Sequence, residues 1–247
     1  MRHILLTLAY DGTDFHGYQQ QPGRNLRTVE GELKLALLAS LHEEVRLRSA
    51  GRTDGGVHAL GQRATILSAT KIDLGNLPKV INRHLPRDLS VVRAEEVDGD
   101  FHPRYGAKMK HYRYTIYNER HRNALWDRHA THCPHPLDVE AMGEGLKKLV
   151  GTHDFSAFIG RYASPGNPIR SIESIEIRRK GSLIVTDFHA KSFLKNQIRI
   201  IMGGAMEIGR GLRDPEVLYQ ATLNGDRRTL GPTAAPQGLC LISIDYE

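Results

Sequence analysis

The chain has 247 residues, 40% of them hydrophobic, so it can bury a core as one large domain or as two smaller ones, and disorder is excluded as the default. Its 34 Lys and Arg residues against 28 Asp and Glu give a formal net charge of +6, which permits a polyanionic partner without demonstrating one. Two cysteines, Cys133 and Cys240, are too few for a disulfide framework and indicate a reducing compartment. The first apolar stretch, residues 4–9, is too short for a signal sequence or a membrane span, so we expect a soluble, cytoplasmic protein without membrane contact.

The first hundred residues predict a mixture of strands and helices. A helix is expected to begin after Thr28, because Val29, Leu33, Leu37 and Leu41 recur at helical spacing behind a residue type that caps helices. A second helix is expected over residues 73–82. Apolar or alternating segments predict strands over residues 4–10, 45–49, 62–68 and 90–97.

The apolar pattern lapses near residues 99–110, where basic residues accumulate, and we place the domain boundary there, giving domains 1–105 and 106–247. The second domain is expected to hold strands that include Tyr112 and Tyr114, a hairpin through Gly181, and helices after Asp138, Asn196 and Asp214. Short connections between strands favour antiparallel pairing. The predicted fold class is therefore α+β, with two domains of antiparallel or mixed sheets flanked by helices.

Asp54 is the most informative position for chemistry. It lies among Gly51, Gly55 and Gly56, directly after a predicted strand, where the backbone can approach a ligand closely. Arg52 stands beside it, and an adjacent cation favours the ionised carboxylate. Because Asp and Gly are also ordinary turn residues, the residues alone leave a structural turn as the alternative.

The stretch Gly-Arg-Thr-Asp-Gly-Gly-Val-His-Ala at residues 51–59 resembles the signature of the tRNA pseudouridine synthase A family. The resemblance extends over nearly the whole chain in the same order of motifs. It includes residues 9–12, 27–30, 100–105, 110–118, 154–158, 193–199 and 231–239. It implies the pseudouridine synthase fold, with an active-site cleft between the two domains.

The resemblance assigns roles to four residues. Asp54 matches the catalytic nucleophile, Tyr112 the active-site tyrosine that stacks on the extruded base, and Arg199 the arginine near the aspartate. Arg52 resembles the residue that helps to displace the target nucleotide. No cofactor and no metal are implied. Without the resemblance, Tyr112 reads as sheet packing and Arg199 as a charged position on the surface of a helix.

Similar enzymes modify uridines at positions 38, 39 and 40 of the tRNA anticodon stem-loop and act as homodimers, so the resemblance implies tRNA and a second copy as partners. The chain departs from the family pattern at three places. Gly55 stands where alanine is common, Tyr18 where tryptophan is common, and residues 195–197 where histidine and methionine are frequent.

Three other interpretations compete with the enzyme. A non-catalytic basic RNA-binding protein would show the same charge and strand tyrosines, but it would not need Asp54. A phosphate-binding loop within residues 203–211 lacks the expected Lys-Ser/Thr ending. A metal site is the third, and its ligands would be His129, His132, Cys133 and His135, which lack a common metal-ligand spacing.

Overall fold

The computed structural model describes residues 1–21, 23–160 and 166–247. The chain forms two compact units. The first unit comprises Met1–Lys108 together with Leu241–Glu247, and the second comprises Met109–Cys240. The functional domains predicted at 1–105 and 106–247 stay a prediction.

In the first unit, four strands pair antiparallel in the order β4, β1, β3, β2, and β3 also pairs with the last strand of the chain. Its strands are β1 (Arg2–Tyr10), β2 (Arg46–Ser49), β3 (His58–Ser68) and β4 (Leu89–Glu96). The helices are α1 (Val29–Leu41) and α2 (Leu77–Asn82). Alternate residues of β1 are fully buried, as are the apolar residues of α1 that recur at helical spacing.

Thr28 caps α1 as predicted, because its side chain accepts a hydrogen bond from the backbone N–H of Gly31. The predicted helix over 73–82 is shorter in the structure and begins at Leu77. The Asp73 side chain accepts a hydrogen bond from the backbone N–H of Gly75 at 2.8 Å. This local turn takes up the residues before α2.

The second unit has a sheet in the order β6, β5, β10, β9, in which the short β6 runs parallel to β5 and the other pairs are antiparallel. A separate two-stranded sheet pairs β7 with β8. The strands are β5 (Met109–Tyr117), β6 (Thr131–His132), β7 (Gly151–Asp154), β8 (Ile169–Ile172), β9 (Ser174–Lys180) and β10 (Leu183–Ala190), and the helices are α3 (Val139–Lys147), α4 (Gln197–Gly209) and α5 (Glu216–Asn224). The last strand, β11 (Leu239–Asp245), begins in this unit and ends in the first.

The α+β fold class with sheets and flanking helices is confirmed. The hairpin through Gly181 is also confirmed, since Lys180 of β9 pairs with Leu183 of β10. The sequence did not predict β6, β7 or β8. In the described residues, none of the helices combines the length and apolar character needed to cross a membrane.

Candidate active site

Asp54 lies in the connection between β2 and β3, and the base of this connection is closed by hydrogen bonds. The Ala50 N–H donates to the Arg63 carbonyl at 2.8 Å, and the buried Gln62 side chain donates to the Gly51 carbonyl at 3.2 Å. Beyond Asp54, the Val57 N–H donates to the Asp54 carbonyl at 3.2 Å. We call residues 50–57 the aspartate loop. Asp54 is half-buried, and its backbone is held on both sides.

A second segment, residues 11–21, packs on the aspartate loop, and we call it the first loop. The Tyr18 N–H donates to the Thr53 carbonyl at 3.1 Å, and the Gly56 N–H donates to the Phe15 carbonyl at 3.2 Å. At the end of β1, the Tyr10 hydroxyl is 2.8 Å from the Thr53 hydroxyl. The residues on both sides of Asp54 are therefore fixed by contacts with a neighbouring segment.

Gly17 allows the two loops to approach so closely. Its φ is +95°, and a Cβ added there would lie 2.9 Å from the Thr53 carbonyl oxygen and 3.3 Å from the Gly55 nitrogen. Residues with a side chain rarely adopt this backbone conformation. The glycine is thus required both by its own conformation and by the space that the aspartate loop occupies.

Arg27 contacts the first loop through the ring of Phe15. Its guanidinium donates two hydrogen bonds to the Asp88 carboxylate, at 2.7 and 2.8 Å, and lies 4.2 Å from the centre of the Phe15 ring. The Asp88 bond raises the pKa of Arg27 and lowers the pKa of Asp88. Because Phe15 also accepts the bond from Gly56, Arg27 is connected to the aspartate loop through one residue.

His58 joins the far end of the aspartate loop to the end of β1. Its buried Nδ1 lies 3.0 Å from the Gly12 nitrogen and 3.2 Å from an Asp11 carboxylate oxygen. Arg52, two residues before Asp54, is exposed. The role of Arg52 in displacing a nucleotide stays a prediction.

Tyr112 and Arg199 belong to the second unit. Tyr112 lies on β5 opposite Phe188 of β10, is half-buried, and meets the Phe193 ring edge to face at 5.4 Å between ring centres. Arg199 is on α4, where its Nε donates to the Ala234 carbonyl at 2.9 Å and its Nη1 donates to the Asn196 side chain at 3.0 Å. The half-buried Arg199 side chain is therefore held in place, unlike a solvated surface arginine.

The structure brings Asp54 and Arg52 together in the aspartate loop of the first unit, and it places Tyr112 and Arg199 separately within the second. Their action in one cleft stays a prediction. The residues that position Asp54 were not predicted from the sequence. The pair of Arg27 with Asp88 joins positions 61 residues apart, and no local pattern marks it.

The structure does not support the competing sites in the second unit. Gly203, Gly204 and Gly209 lie within α4, and a Cβ on Gly203 would meet the Pro232 carbonyl, so close helix packing explains these three glycines. His132 Nε2 is 2.8 Å from the Glu119 carbonyl oxygen, and the Cys133 thiol donates to the His135 carbonyl at 3.6 Å. Within the described ranges, the four predicted metal ligands form no common group.

A family model described as tRNA pseudouridine synthase matches residues 7–106 and 146–247, and so includes the aspartate loop and α4. The chain belongs to the tRNA pseudouridine synthase family. The family predicted from the motifs is therefore confirmed.

Relatives named tRNA pseudouridine synthase A match the chain from end to end. Those of Geotalea uraniireducens and Thermoanaerobacter sp. (strain X514) are each 39% identical over 246 residues, covering 100% of both chains. That of Pelobacter propionicus is 40% identical, with the same coverage. Among solved structures, a Cbf5-Nop10-Gar1 complex shows a TM-score of 0.35 and 11% identity over 85% of this chain and 55% of that chain, a likeness too remote to bear on fold or function.

Three residues that depart from the tRNA pseudouridine synthase pattern, Gly55, Tyr18 and Gln197, have different surroundings. A Cβ on Gly55 would lie 3.5 Å from the Phe15 carbonyl oxygen, an ordinary contact, so the site has room for the alanine that is common there. Tyr18 is fully buried, and burial raises the pKa of its hydroxyl. Gln197 is also buried, and its side chain accepts a bond from the Leu194 N–H at 2.7 Å, which shapes the turn before α4.

Proposed function

We propose that this protein converts uridine to pseudouridine in tRNA, with the Asp54 carboxylate as the nucleophile. The observation that supports this most directly is the position of Asp54, half-buried on a loop whose backbone is fixed on both sides in a chain of the tRNA pseudouridine synthase family. A nucleophile must be held at a defined place relative to the reacting atoms. A solvated turn carboxylate would need no such fixation.

The chemistry suits a carboxylate. The bond from uracil N1 to the ribose carbon breaks, the ring turns, and a bond from C5 to the same carbon forms, while C5 loses a proton and N1 gains one. Temporary addition of Asp54, either to the base or to the sugar, divides this exchange into two easier steps. Atoms and electrons balance within the substrate, so the reaction needs neither an oxidant nor a group donor.

The other predicted residues have supporting roles in this proposal. Tyr112 stacks on the extruded uracil, and the edge-to-face contact with Phe193 favours a fixed ring orientation for that purpose. Arg199 pairs with Asp54 or with the substrate, and its bonds to Ala234 and Asn196 pre-orient the guanidinium. Arg52, which is exposed, assists the displacement of the nucleotide from its stack.

The proposed substrate is the anticodon stem-loop of tRNA, with uridines at positions 38 to 40, and the proposed working form is a homodimer. Both follow from the family resemblance. We place the enzyme in the cytoplasm, where tRNA is found and where thiols stay reduced. Cys133 and Cys240 form no disulfide within the described residues, which agrees with that compartment.

The test replaces Asp54 with asparagine, which keeps the shape and removes the nucleophile. We expect pseudouridine formation in an unmodified tRNA transcript to fall below detection, while tRNA affinity stays within a few fold, because few phosphate contacts change. Asp98→Asn is the matched control, since Asp98 is an exposed carboxylate of the same unit and should leave the rate unchanged. Normal turnover by Asp54→Asn would refute the assignment, and binding without turnover by the wild type would favour the non-catalytic RNA-binding protein.

A further inference from the structure

The face of the first unit's sheet opposite its apolar core carries a row of arginines. On β1, Ile4, Leu6 and Leu8 are completely buried on the core face, so Leu5 and Thr7 point to the opposite face. The strand register then aligns the neighbours of Thr7 and Leu5. Thr7 lies between Arg93 of β4 and Arg63 of β3. Leu5 lies between Glu95 of β4 and Thr65 of β3. Thr65 also pairs with Arg48 of β2.

Arg46 joins this row, because it pairs with Leu67, two residues beyond Thr65 on the same side of β3. We call Arg46, Arg48, Arg63 and Arg93 the arginine row. Its members lie on β2, β3 and β4; Arg46, Arg48 and Arg93 are exposed, and Arg63 is half-buried. Regular pairing of strands thus holds four guanidinium groups on one side of a rigid sheet.

The positive charge of the row is only partly neutralised. Glu95 accepts a hydrogen bond from Arg63 at 2.7 Å and pairs with Arg93 at 3.0 Å. Arg46 and Arg48 make no ion pair or side-chain hydrogen bond with the residues that the structure describes. One carboxylate therefore stands against four permanently charged groups, and the row keeps a net positive charge.

This charge pattern favours a polyanion over a second copy of the chain. In a twofold-symmetric contact through this face, each arginine row would meet the same surface of the partner, and like charges would repel. An RNA backbone supplies the opposite charge at regular spacing. The row is also near the aspartate loop, because Arg48 precedes Asp54 by six residues, which an extended chain spans in about 20 Å.

We propose that the arginine row binds phosphates of the tRNA outside the reacting nucleotide. This inference rests on the proposed function, because it names the surface that holds the same substrate. Arg63, fixed by Glu95, sets the position of the backbone, while Arg46 and Arg48 add charge at the edge strand. Such contacts supply affinity and register and read little sequence.

The test compares two double variants with the same loss of charge. Arg46→Gln with Arg48→Gln removes two members of the row, and Arg83→Gln with Arg87→Gln removes two exposed charges from the α2 end of the same unit. Binding of an unmodified tRNA transcript is measured by fluorescence anisotropy from 0.05 to 0.3 M salt. If each arginine contacts one phosphate, the row variant loses about tenfold in affinity at 0.1 M salt, and the slope of log K against log salt falls by about 1 to 2.

The control variant should stay within about twofold of the wild type, whereas equal losses in both variants would show a bulk charge effect and overturn the proposal. Arg46→Lys with Arg48→Lys keeps the charge and should restore most of the slope; binding as weak as that of the Gln pair would also overturn it. These measurements do not depend on turnover. If the wild type makes pseudouridine but the row variant binds normally, this inference fails while the proposed function stands.

Discussion

Gly17 and Gly55 face each other across the contact between the first loop and the aspartate loop, and we predict opposite effects when each is replaced by alanine. In Gly17→Ala the new Cβ would lie 2.9 Å from the Thr53 carbonyl oxygen, in a residue whose φ is +95°. In Gly55→Ala the nearest atom would be the Phe15 carbonyl oxygen at 3.5 Å. The two substitutions add the same methyl group to neighbouring backbones.

The expected magnitudes follow from these geometries. A left-handed backbone conformation costs alanine about 1 to 2 kcal/mol relative to glycine, and displacement of a fixed carbonyl adds about 1 to 2 kcal/mol. We therefore expect Gly17→Ala to lower the free energy of unfolding by about 2 to 4 kcal/mol. Gly55→Ala should raise it by about 0.4 to 1 kcal/mol, because alanine restricts the unfolded chain and fits the folded one.

Urea unfolding measures both changes in the free energy of unfolding, provided that the variants and the wild type have the same m-value. The rate of single-turnover pseudouridine formation at saturating tRNA reports whether Asp54 keeps its position. Gly17→Ala should slow the chemical step at least tenfold at a temperature where it is folded, because the clash moves the backbone beside Asp54. Gly55→Ala should keep the rate within about threefold. A Gly17→Ala protein with wild-type stability and rate would refute the described contact, as would a Gly55→Ala protein that is as destabilised as Gly17→Ala.

Two further predictions concern charged groups. Burial raises the pKa of Asp187 on β10, but hydrogen bonds from Arg113, His111 and Arg178 outweigh it and hold the pKa at about 2. Because the folded pKa lies below the unfolded value, this group contributes about 2 kcal/mol of stability above about pH 5, of which about half is lost by pH 3. Urea unfolding between pH 7 and 3 should show a weaker pH dependence in Asp187→Asn, and an unchanged dependence would contradict the assignment. Arg27→Gln should lower the free energy of unfolding by about 2 kcal/mol and lower kcat at saturating tRNA, because Phe15 loses the guanidinium that holds its ring beside Gly56. A variant that is less stable but has an unchanged kcat would contradict the link between Arg27 and the aspartate loop.

The sequence predicted the features that depend on local patterns. The spacing of Val29 and Leu33 after Thr28 indicated α1, and alternation in β2 and β5 indicated their strands. The two-residue β6 carries too few residues for any period to appear, and only its pairing with β5 defines it. The glycine-rich motif at residues 51–56 is also a local pattern, and it identified Asp54 as a candidate.

What positions Asp54 is not visible in any short segment. The contact of Gly17 with Thr53 joins residues 36 positions apart in sequence, and a glycine in a loop gives no sign of what it faces. The arginine row depends on strand order and register, which place Arg93 and Arg48 on one sheet face although 45 positions separate them. Such features arise from tertiary pairing, to which periodicity and local propensity do not respond.

The proposed activity and the role of Asp54 are tested together by incubating an unmodified tRNA transcript with the wild type and with Asp54→Ala, without added metal or nucleotide. Pseudouridine is then mapped at single-nucleotide resolution. We predict pseudouridine in the anticodon stem-loop with the wild type and none with the variant. Equal modification by both proteins would contradict the role of Asp54. The absence of pseudouridine with a wild-type protein that binds the transcript would contradict the proposed activity itself.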